Sequence, residues 1–304
     1  MRYHVLINTN SGTTLKVGQA DVEKTLRENL DIETLDFLAG DDLFNRMGEL
    51  MGTPYPMLIG GGDGSMAKAA ELHLAAKKPF GVLPFGTMNL LARDLEIPVD
   101  FHESVKAYKK TQIVSIDAAM ANDQVFLCCA AFGSMPEAAR VREKNRHLPD
   151  IIMLPRVTMY VLNRLDFHRK RHIRLTLDNT FKKIRTGMLI VSNNCYVPGE
   201  RGSFYKETLQ DGVLGVYTVT PRSLWDKIRL AISLRTGAWR SDPSVAEAHA
   251  SNVVINTNRK TELISLDGEP IEMKMPLRCH VLRQALQVIV PVPVEADKER
   301  TEAA

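Results

Sequence analysis

The residues best suited to chemistry lie at positions 58–65, LIGGGDGS, where an apolar run ends in four glycines around one carboxylate. Glycine has no Cβ atom, so it can adopt positive φ angles and lets backbone N–H groups approach an anion closely. A helix predicted over residues 65–77 would add the partial positive charge of its N-terminus. The pattern predicts a phosphate cradle, with a tight strand-to-helix turn as the alternative.

Asp63, inside this loop, needs its own explanation because a bare carboxylate repels phosphate. Three roles are compatible with the position: Asp63 holds a metal ion, it orients a hydroxyl group, or it braces the loop by accepting hydrogen bonds. If the loop is only a turn, Asp63 is the cap of the helix that follows.

Two more polar turns follow predicted strands of the same region, NTNSG at 8–12 and PFGTMNLLARDL at 84–95. The C-terminal ends of neighbouring parallel strands share one edge of a sheet, so we expect these turns to meet the glycine loop. Further along the chain, Asp117 lies near a predicted domain boundary and Asp267-Gly268-Glu269 is a tight acidic turn between two late strands. Each of these, taken alone, is compatible with a surface turn.

The first third of the chain alternates between strand and helix patterns. Strands are predicted at 3–8, 32–38, 56–59 and 80–84, and helices at 19–30, 41–51 and 65–77. This alternation is typical of βαβ units and predicts an α/β N-terminal domain with a largely parallel sheet.

From about residue 115 the pattern changes to strand pairs joined by turn signals such as Asn122-Asp123 and Asp178-Asn179. The predicted strands are 114–120, 124–132, 171–177, 181–192, 213–219, 250–256, 262–266 and 271–290. We therefore predict an α/β domain over residues 1–120, a β-rich antiparallel domain over 121–290 and a partly disordered tail over 291–304.

Composition limits the classes of function. The 304 residues are 44% hydrophobic and 25% charged, as in ordinary soluble globular proteins. The formal net charge of +3 is too small to suggest a nucleic-acid partner. No apolar run approaches the ~18 residues of a membrane span, and the first residues lack the apolar core of a signal peptide. We expect a cytoplasmic protein.

Five segments, in this order, resemble the diacylglycerol-kinase-like lipid kinases, which include bacterial diacylglycerol kinases and sphingosine kinases. The segments are 8–12 (NTNSG), 61–65 (GGDGS), 84–93 (PFGTMNLLAR), 210–214 (QDGVL) and 266–269 (LDGE). The resemblance covers about residues 3 to 290. The glycine signature alone is shared with NAD kinases and phosphofructokinases, whereas the five segments together are specific.

The resemblance implies that ATP binds in a cleft between the α/β domain and a β-sandwich-like second domain, with Mg²⁺ bridging the phosphates. It also implies a set of nucleotide-binding residues: Asn8, Gly61, Gly62, Asp63, Gly64, Ser65, Gly86, Thr87 and Asn89. Phosphoryl transfer needs a hydroxyl in line with the phosphate, a carboxylate that orients it and cations that shield charge.

On the acceptor side, the resemblance implies Asp267 as the base that accepts the lipid hydroxyl proton, with Glu269 beside it and Asp63 as a further catalytic residue. The alternative for Asp267 is a turn residue that supports the fold. By the same resemblance, Asp211 is a candidate ligand of a structural Mg²⁺ ion. One position departs from many relatives, because Leu90 stands where they have an acidic residue.

Charge and tryptophan placement point to the lipid. Residues 137–172 hold nine Lys or Arg and four Asp or Glu, and residues 221–242 hold five and two together with both tryptophans, Trp225 and Trp239. Within 223–234, Trp225, Ile228 and Ile232 share one helical face. That face suits the surface of an anionic bilayer. The alternative is a helix that packs this face on its own sheet.

The sequence therefore predicts an ATP-dependent lipid kinase that phosphorylates a hydroxyl of a membrane lipid and visits the membrane surface transiently. Two other functions stay open: a soluble-metabolite kinase resembling NAD kinases, and a catalytically silent nucleotide-binding regulator, for which Leu90 is the main argument. Diacylglycerol, a monoacyl lipid, a sphingoid base and phosphatidylglycerol are all compatible acceptors. A homodimer is a further open possibility.

Overall fold

The structure, a computed structural model, describes residues 1–133, 135–144, 156, 160, 171–198 and 206–292. The chain forms two compact units: unit 1 contains Met1–Ile116 and the chain from Gln284, and unit 2 contains Asp117–Arg283. The first division lies close to the predicted boundary at 120. By contrast, the residues from 284 join unit 1 rather than the second of the predicted domains. Beyond residue 292, the predicted tail lies outside the described residues.

Unit 1 alternates between strands and helices along its first hundred residues. Its elements are β1 (Arg2–Asn8), α1 (Gly12–Val17), α2 (Gln19–Asn29), β2 (Asp31–Leu38), α3 (Gly40–Leu50), β3 (Met57–Gly61), α4 (Asp63–Ala76), β4 (Phe80–Pro84), α5 (Leu90–Asp94), α6 (Phe101–Ala107) and β5 (Thr111–Ala121), whose first residues belong to this unit. The strands and helices predicted within residues 3–84 all occur, and their ends lie within two residues of the predicted ones.

The sheet of unit 1 is mostly parallel, as the βαβ alternation predicts. Its strands lie in the order β2-β1-β3-β4, and β1 pairs in parallel with both β2 and β3. Every residue of β3 and β4 is buried, which explains why their sequences are continuously apolar or glycine rather than alternating. The sheet therefore presents the C-terminal ends of β1, β3 and β4, and the loops that follow them, at one edge.

Unit 2 contains mostly strands. Its elements are the end of β5, then β6 (Gln124–Phe126), β7 (Cys129–Gly133), α7 (Met135–Lys144), β8 (Arg171–Leu177), β9 (Thr180–Thr186), β10 (Met188–Asn193), β11 (Leu214–Val219), α8 (Leu224–Thr236), a short 3₁₀ helix (Ala238–Ser241), β12 (Val245–Ala250), β13 (Asn252–Asn256), β14 (Thr261–Leu266), β15 (Glu269–Lys274) and the first part of β16 (Leu277–Pro291). Much of the basic segment 137–172 lies outside the described residues.

Two antiparallel sheets make up unit 2 and share one core. One sheet has the strand order β12-β11-β10-β7-β14-β15, and the other contains β16, β13, β8 and β9 in that order. Phe132 and Leu189 of the first sheet and Ile173 and Val253 of the second belong to the same buried cluster. The predicted β-rich, sandwich-like second domain is thus confirmed.

Three long predicted strands are each divided in two. The predicted strand 124–132 becomes β6 and β7, 181–192 becomes β9 and β10, and 271–290 becomes β15 and β16. The interruptions lie at residues 127–128, at Gly187 and at 275–276. Pro276 lacks a backbone N–H and cannot donate to a strand ladder, and residues 127–128 give their N–H groups to a side chain described below. Periodicity alone could not separate these pairs.

Strand β16 is the unusual element because its two ends pair in opposite senses. Its first residues pair antiparallel with β13, through Leu277 and Ile255, inside unit 2. Its last residues pair in parallel with β4, through Val288 and Phe80, inside unit 1. Among the described residues, no helix has both the length and the apolar character needed to cross a bilayer.

Candidate active site

Three loops meet at the C-terminal edge of the sheet in unit 1, as the parallel arrangement predicts. The N–H of Phe85, after β4, donates to the carbonyl oxygen of Gly61 at the end of β3 (3.2 Å). The N–H of Thr13, after β1, donates to the carbonyl oxygen of Phe85 (3.0 Å). The segments NTNSG, GGDGS and PFGTMN, far apart in sequence, therefore form one continuous surface of backbone.

The glycine loop and the Gly-Thr turn come together at Gly62 and Gly86. A Cβ atom built on Gly86 would lie 2.5 Å from the Cα atom of Gly62, whereas one built on Gly62 would lie 3.5 Å from the Cα atom of Gly86. Gly62 has a φ of −91°, and the positive φ angles of glycines in the described chain occur at other positions. Gly62 and Gly86 are therefore needed because the two backbones come close together. Neither residue has the positive φ angle that glycine would also permit.

Asn89 fixes the shape of the Gly-Thr turn. It is buried and has a left-handed backbone conformation with a φ of 51°, which asparagine tolerates better than most residues. Its Nδ2 atom donates to the carbonyl oxygens of Pro84 (3.1 Å) and Gly86 (2.9 Å), and its Oδ1 atom accepts the N–H of Gly86 (2.8 Å). The side chain holds the turn, and Thr87 remains exposed at its tip.

Asp63 links the glycine loop to the helix that follows the Gly-Thr turn. Its Oδ1 atom accepts the backbone N–H of Leu90, the first residue of α5, at 2.7 Å. Of the three roles considered for Asp63, the structure shows one: Asp63 braces the loop by accepting a hydrogen bond. Because the donor is a backbone N–H, a leucine at position 90 serves this contact as well as an acidic residue would.

Asn8 and Ser65 support the glycine loop from the side of β1. The Nδ2 atom of Asn8 donates to the Oγ atom of Ser65 at 3.0 Å, and the Oδ1 atom of Asn8 accepts the N–H of Asn10 at 2.9 Å. Ser65 is buried, and a Cβ atom on Gly61 would lie 2.6 Å from its Oγ atom. Asn8, Gly61 and Ser65 thus support the glycine loop on the side that faces β1.

Helix α4 begins directly at this loop and has a glycine N-cap, Gly62, which offers no capping side chain. The first N–H groups of an α-helix have no partner within the helix, and they carry the positive end of the helix dipole. With Gly62 as the cap, and with Gly64 half-buried in the first turn, an anion can approach these groups without meeting a side chain at the cap position. The 14-residue helix therefore has a start suited to a phosphate.

In unit 2, Asp267 and Gly268 form the two-residue turn between β14 and β15. Their φ angles are 48° and 92°, and hairpin turns with two positive φ angles favour the sequence Asp-Gly. The tight acidic turn predicted from the sequence is present. Glu269, the first residue of β15, is exposed.

The carboxylate of Asp267 holds the segment before β7. Its Oδ2 atom accepts the N–H of Leu127 (2.7 Å), and its Oδ1 atom accepts those of Cys128 (2.8 Å) and Cys129 (2.9 Å). Burial raises the pKa of Asp267 to about 6, although the three backbone donors and the charge of Lys206 oppose the increase. Both oxygens of this buried carboxylate are therefore occupied by backbone donors.

Three buried polar residues of unit 2 were not predicted from the sequence. Asn193 donates through Nδ2 to the carbonyl oxygens of Leu127 (3.1 Å) and Asp117 (2.9 Å), and buried Lys206 donates to the same oxygen of Leu127 (3.3 Å). Asn194, also buried, accepts the N–H of Asp211 through Oδ1 (3.1 Å). The signal for Asn193 and Asn194 would have been two adjacent asparagines at the end of an apolar strand.

Asp211 and Asp117 lie in one acidic neighbourhood. The N–H of Gly212 donates to the Oδ2 atom of Asp117 at 2.6 Å. Burial raises the pKa of Asp211, and the charges of Asp117 and Glu207 add to the increase. In the described part of the chain no group of three His, Cys, Asp or Glu side chains could hold a metal ion. Asp211 as a ligand of a structural Mg²⁺ ion stays a prediction.

Comparison with known proteins gives matches along most of the chain. A family model described as the diacylglycerol kinase catalytic domain matches residues 2–121, and one described as the YegS C-terminal NAD kinase beta sandwich-like domain matches residues 136–290. A Bacillus subtilis (strain 168) protein named diacylglycerol kinase is 24% identical over 220 residues, which cover 70% of this chain and 70% of that protein.

Two further likenesses have lower sequence identity. An uncharacterised protein of Synechocystis sp. is 21% identical over 248 residues, which cover 78% of this chain. This chain therefore spans only about half (55%) of the length of that protein. A crystal structure of a diacylglycerol kinase from Bacillus anthracis str. Sterne has a TM-score of 0.67 at 16% identity, over 96% of this chain and 97% of that chain. At this identity the structural likeness shows a shared fold.

Proposed function

Because the chain belongs to the diacylglycerol-kinase-like lipid kinase family, we propose that it transfers a phosphoryl group from ATP to a hydroxyl group of a membrane lipid. One observation carries the proposal: Gly62 and Gly86 bring two loops into backbone contact beside the open N-terminus of α4. Folding alone does not need a backbone cradle at the start of a 14-residue helix, whereas a nucleotide phosphate does.

On the nucleotide side, we assign the phosphates of ATP to the start of α4 and to the Gly86-Thr87 turn. Exposed Thr87 and the first-turn N–H groups of α4 are the donors, and Asn8, Ser65 and Asn89 shape the loops that hold them. Mg²⁺ fits this site as a cation held mainly by phosphate oxygens and one carboxylate, for which Asp63 is the candidate. When bound, Mg²⁺ would neutralise charge on the phosphates.

On the acceptor side, we assign Asp267 and Glu269 to the lipid hydroxyl. Above a pH of about 6 Asp267 is ionised, as a group that orients a hydroxyl and accepts its proton needs to be. Its contacts with residues 127–129 fix the carboxylate in one position. Exposed Glu269, in the same hairpin, is the second candidate for contact with the lipid head.

The test is a transfer assay with labelled ATP and a lipid extract, with products identified by chromatography and mass spectrometry. We expect label in a lipid that carries a free hydroxyl, and no label in NAD⁺ offered alone. Label in NAD⁺ would favour a soluble-metabolite kinase. ATP binding by calorimetry without transfer to any acceptor would favour a silent regulator.

The pH dependence of the same reaction tests the role of Asp267. Turnover is expected to rise as the pH increases through about 6, because the ionised form is the active one. The stability effect has the opposite sign. For a carboxyl whose pKa is raised in the fold, the contribution to the free energy of unfolding is complete below its ordinary pKa of 3.8 and is lost as the pH rises through about 6. Turnover that is flat between pH 5 and 7 would assign Asp267 to the fold alone.

A further inference from the structure

Helix α8 of unit 2 presents a row of large apolar side chains to solvent. The exposed fractions are 71% for Leu224, 77% for Trp225, 42% for Ile228 and 58% for Ile232. At about 100° per residue these four positions fall within an arc of roughly 100° on one side of the helix. We call these four side chains the α8 stripe.

The opposite side of α8 packs against the rest of unit 2. Leu230 and Ser233 are buried, and Leu230 joins a small cluster with Val219, against which Leu234 and Val245 also pack. The sequence left open whether Trp225, Ile228 and Ile232 pack on the helix's own sheet. They do not, because the sheet is covered by the other face. The apolar character of the stripe therefore has no role in this core.

The N-terminal half of α8 is anchored by side-chain contacts, so the stripe is presented on a well-defined helix. Ser223 and Asp226 form a capping box, in which the Oγ atom of Ser223 accepts the N–H of Asp226 (3.0 Å) and Asp226 accepts the N–H of Ser223 (2.9 Å). Arg229 contacts Asp226 (2.8 Å) and buried Asp242 (3.1 Å). These contacts use both carboxylates of the region to hold the helix.

Positive charge surrounds the stripe. Residues 222–236 contain four basic residues and one acidic residue, and the acidic one, Asp226, is committed to the capping box and to Arg229. Arg222 precedes the helix and Arg235 lies in its last turn, so that exposed cations flank the stripe at both ends. Lys227 adds a third cation on the same helix. An apolar row with a cation at each end is complementary to a surface that is apolar inside and anionic outside.

We propose that the α8 stripe docks the protein on an anionic lipid bilayer, with Trp225 and the neighbouring aliphatic side chains in the interfacial region and Arg222 and Arg235 beside the lipid phosphates. Tryptophan partitions to the headgroup level of bilayers, and basic residues near the surface add attraction to anionic lipids. The proposal concerns binding, and it does not require that the protein act as a kinase.

A second copy of the chain is the competing occupant. A two-fold pairing of two α8 stripes would bring the same surface together from both copies, so the exposed arginines of the two helices would lie close to one another. Like charges at a contact oppose association. The charge pattern therefore favours lipid over self-association.

The first experiment measures sedimentation of the full chain with vesicles, without ATP. Vesicles of phosphatidylcholine are compared with vesicles in which phosphatidylglycerol replaces part of it. We expect binding to the anionic vesicles, weakened by salt. Trp225→Ser combined with Ile228→Ser should reduce it by about tenfold or more, because two exposed apolar side chains lose their contact with lipid. Arg222→Gln and Arg235→Gln should each cost about fivefold.

Matched controls distinguish binding through the α8 stripe from nonspecific binding to vesicles. Leu224→Ser in α8 is compared with Leu15→Ser in α1, since these leucines have similar exposed fractions of 71% and 68%. Arg235→Gln is compared with Arg27→Gln, another exposed arginine in the last turn of a helix. Only the α8 variants should lose vesicle binding.

A spectroscopic measurement on folded, unaltered protein keeps the test independent of variant stability. The chain has two tryptophans, exposed Trp225 and buried Trp239. Anionic vesicles should shift the emission of Trp225 to shorter wavelength. In Trp225→Phe, which keeps an aromatic ring, binding should persist and the shift should disappear.

Three results would overturn the proposal. One is equal binding to neutral and anionic vesicles, or to neither. Another is wild-type vesicle binding by the Trp225→Ser, Ile228→Ser variant. The third is a concentration-dependent dimer that this variant abolishes in sedimentation experiments without lipid. A protein that docks through α8 but phosphorylates no lipid would refute the proposed function and leave this inference intact.

Discussion

Asp63 and Asp267 are both loop carboxylates that accept backbone N–H groups from a segment distant in sequence, but their surroundings differ. Asp63 is half-buried at the start of a helix and accepts the N–H of Leu90. Asp267 is buried, lies in a hairpin turn and accepts three N–H groups through both oxygens. The difference indicates that Asp267 holds its neighbouring segment through both carboxylate oxygens, whereas Asp63 braces the start of α5 through its Oδ1 atom.

The largest effect on the fold is expected for Asp267→Asn. An asparagine has one acceptor oxygen and one NH₂ group, so at least one of the three backbone donors would face another donor. We expect a loss of about 2–4 kcal/mol in the free energy of unfolding, together with a loss of turnover. Denaturant unfolding is the measurement, and Glu269→Gln, exposed in the same hairpin, is the control. A variant as stable as the wild type would contradict the structural half of this comparison.

An intermediate effect is expected for the glycine contact in unit 1. Gly86→Ala places a Cβ atom 2.5 Å from the Cα atom of Gly62, so the two loops would have to separate. We expect a cost of about 1–3 kcal/mol in stability and weaker ATP binding by calorimetry. Gly62→Ala is the matched variant for stability alone, because its Cβ atom would lie at an ordinary 3.5 Å. If the two variants are equally stable, the close approach at Gly86 does not shape the loops.

The smallest effect on the fold, with a large effect on activity, is expected for Asp63→Asn. The Oδ1 atom of the asparagine can still accept the N–H of Leu90, so stability should change by less than about 1 kcal/mol. Loss of the charge should reduce turnover by on the order of 10²-fold or more. Glu71→Gln, on the exposed face of the same helix, is the control. Near wild-type turnover at saturating ATP and Mg²⁺ would remove Asp63 from the catalytic residues.

The loops of unit 1 could be predicted because the signals for them are local in the sequence. Apolar runs mark β1, β3 and β4, glycine marks the turns, and the parallel arrangement brings their ends together. The Asp267-Gly268 turn could be predicted for the same reason, since Asp-Gly is a hairpin signal. What the pattern did not reveal is which groups the side chains contact.

Side-chain contacts between segments distant in sequence are the part that could not be predicted. Nothing local in the sequence links Asp267 to residues 127–129, or Lys206 to the carbonyl oxygen of Leu127. Strand β16 is a similar case, because a single run of strand-forming residues contains both an antiparallel and a parallel pairing. The sequence therefore indicated the class of site, and the structure identified the partners.

Strand β9 ends its sheet within the described part of the chain, and this edge bears on solubility. Lys182, Lys183 and Arg185 on this strand are all exposed. An exposed edge strand offers free backbone groups to strands of other molecules, and charged side chains, lysine above all, oppose that pairing. Addition of β9 from a second molecule would bring lysines and arginines of both copies together. The charge on β9 therefore opposes edge-to-edge growth of the sheet into larger assemblies.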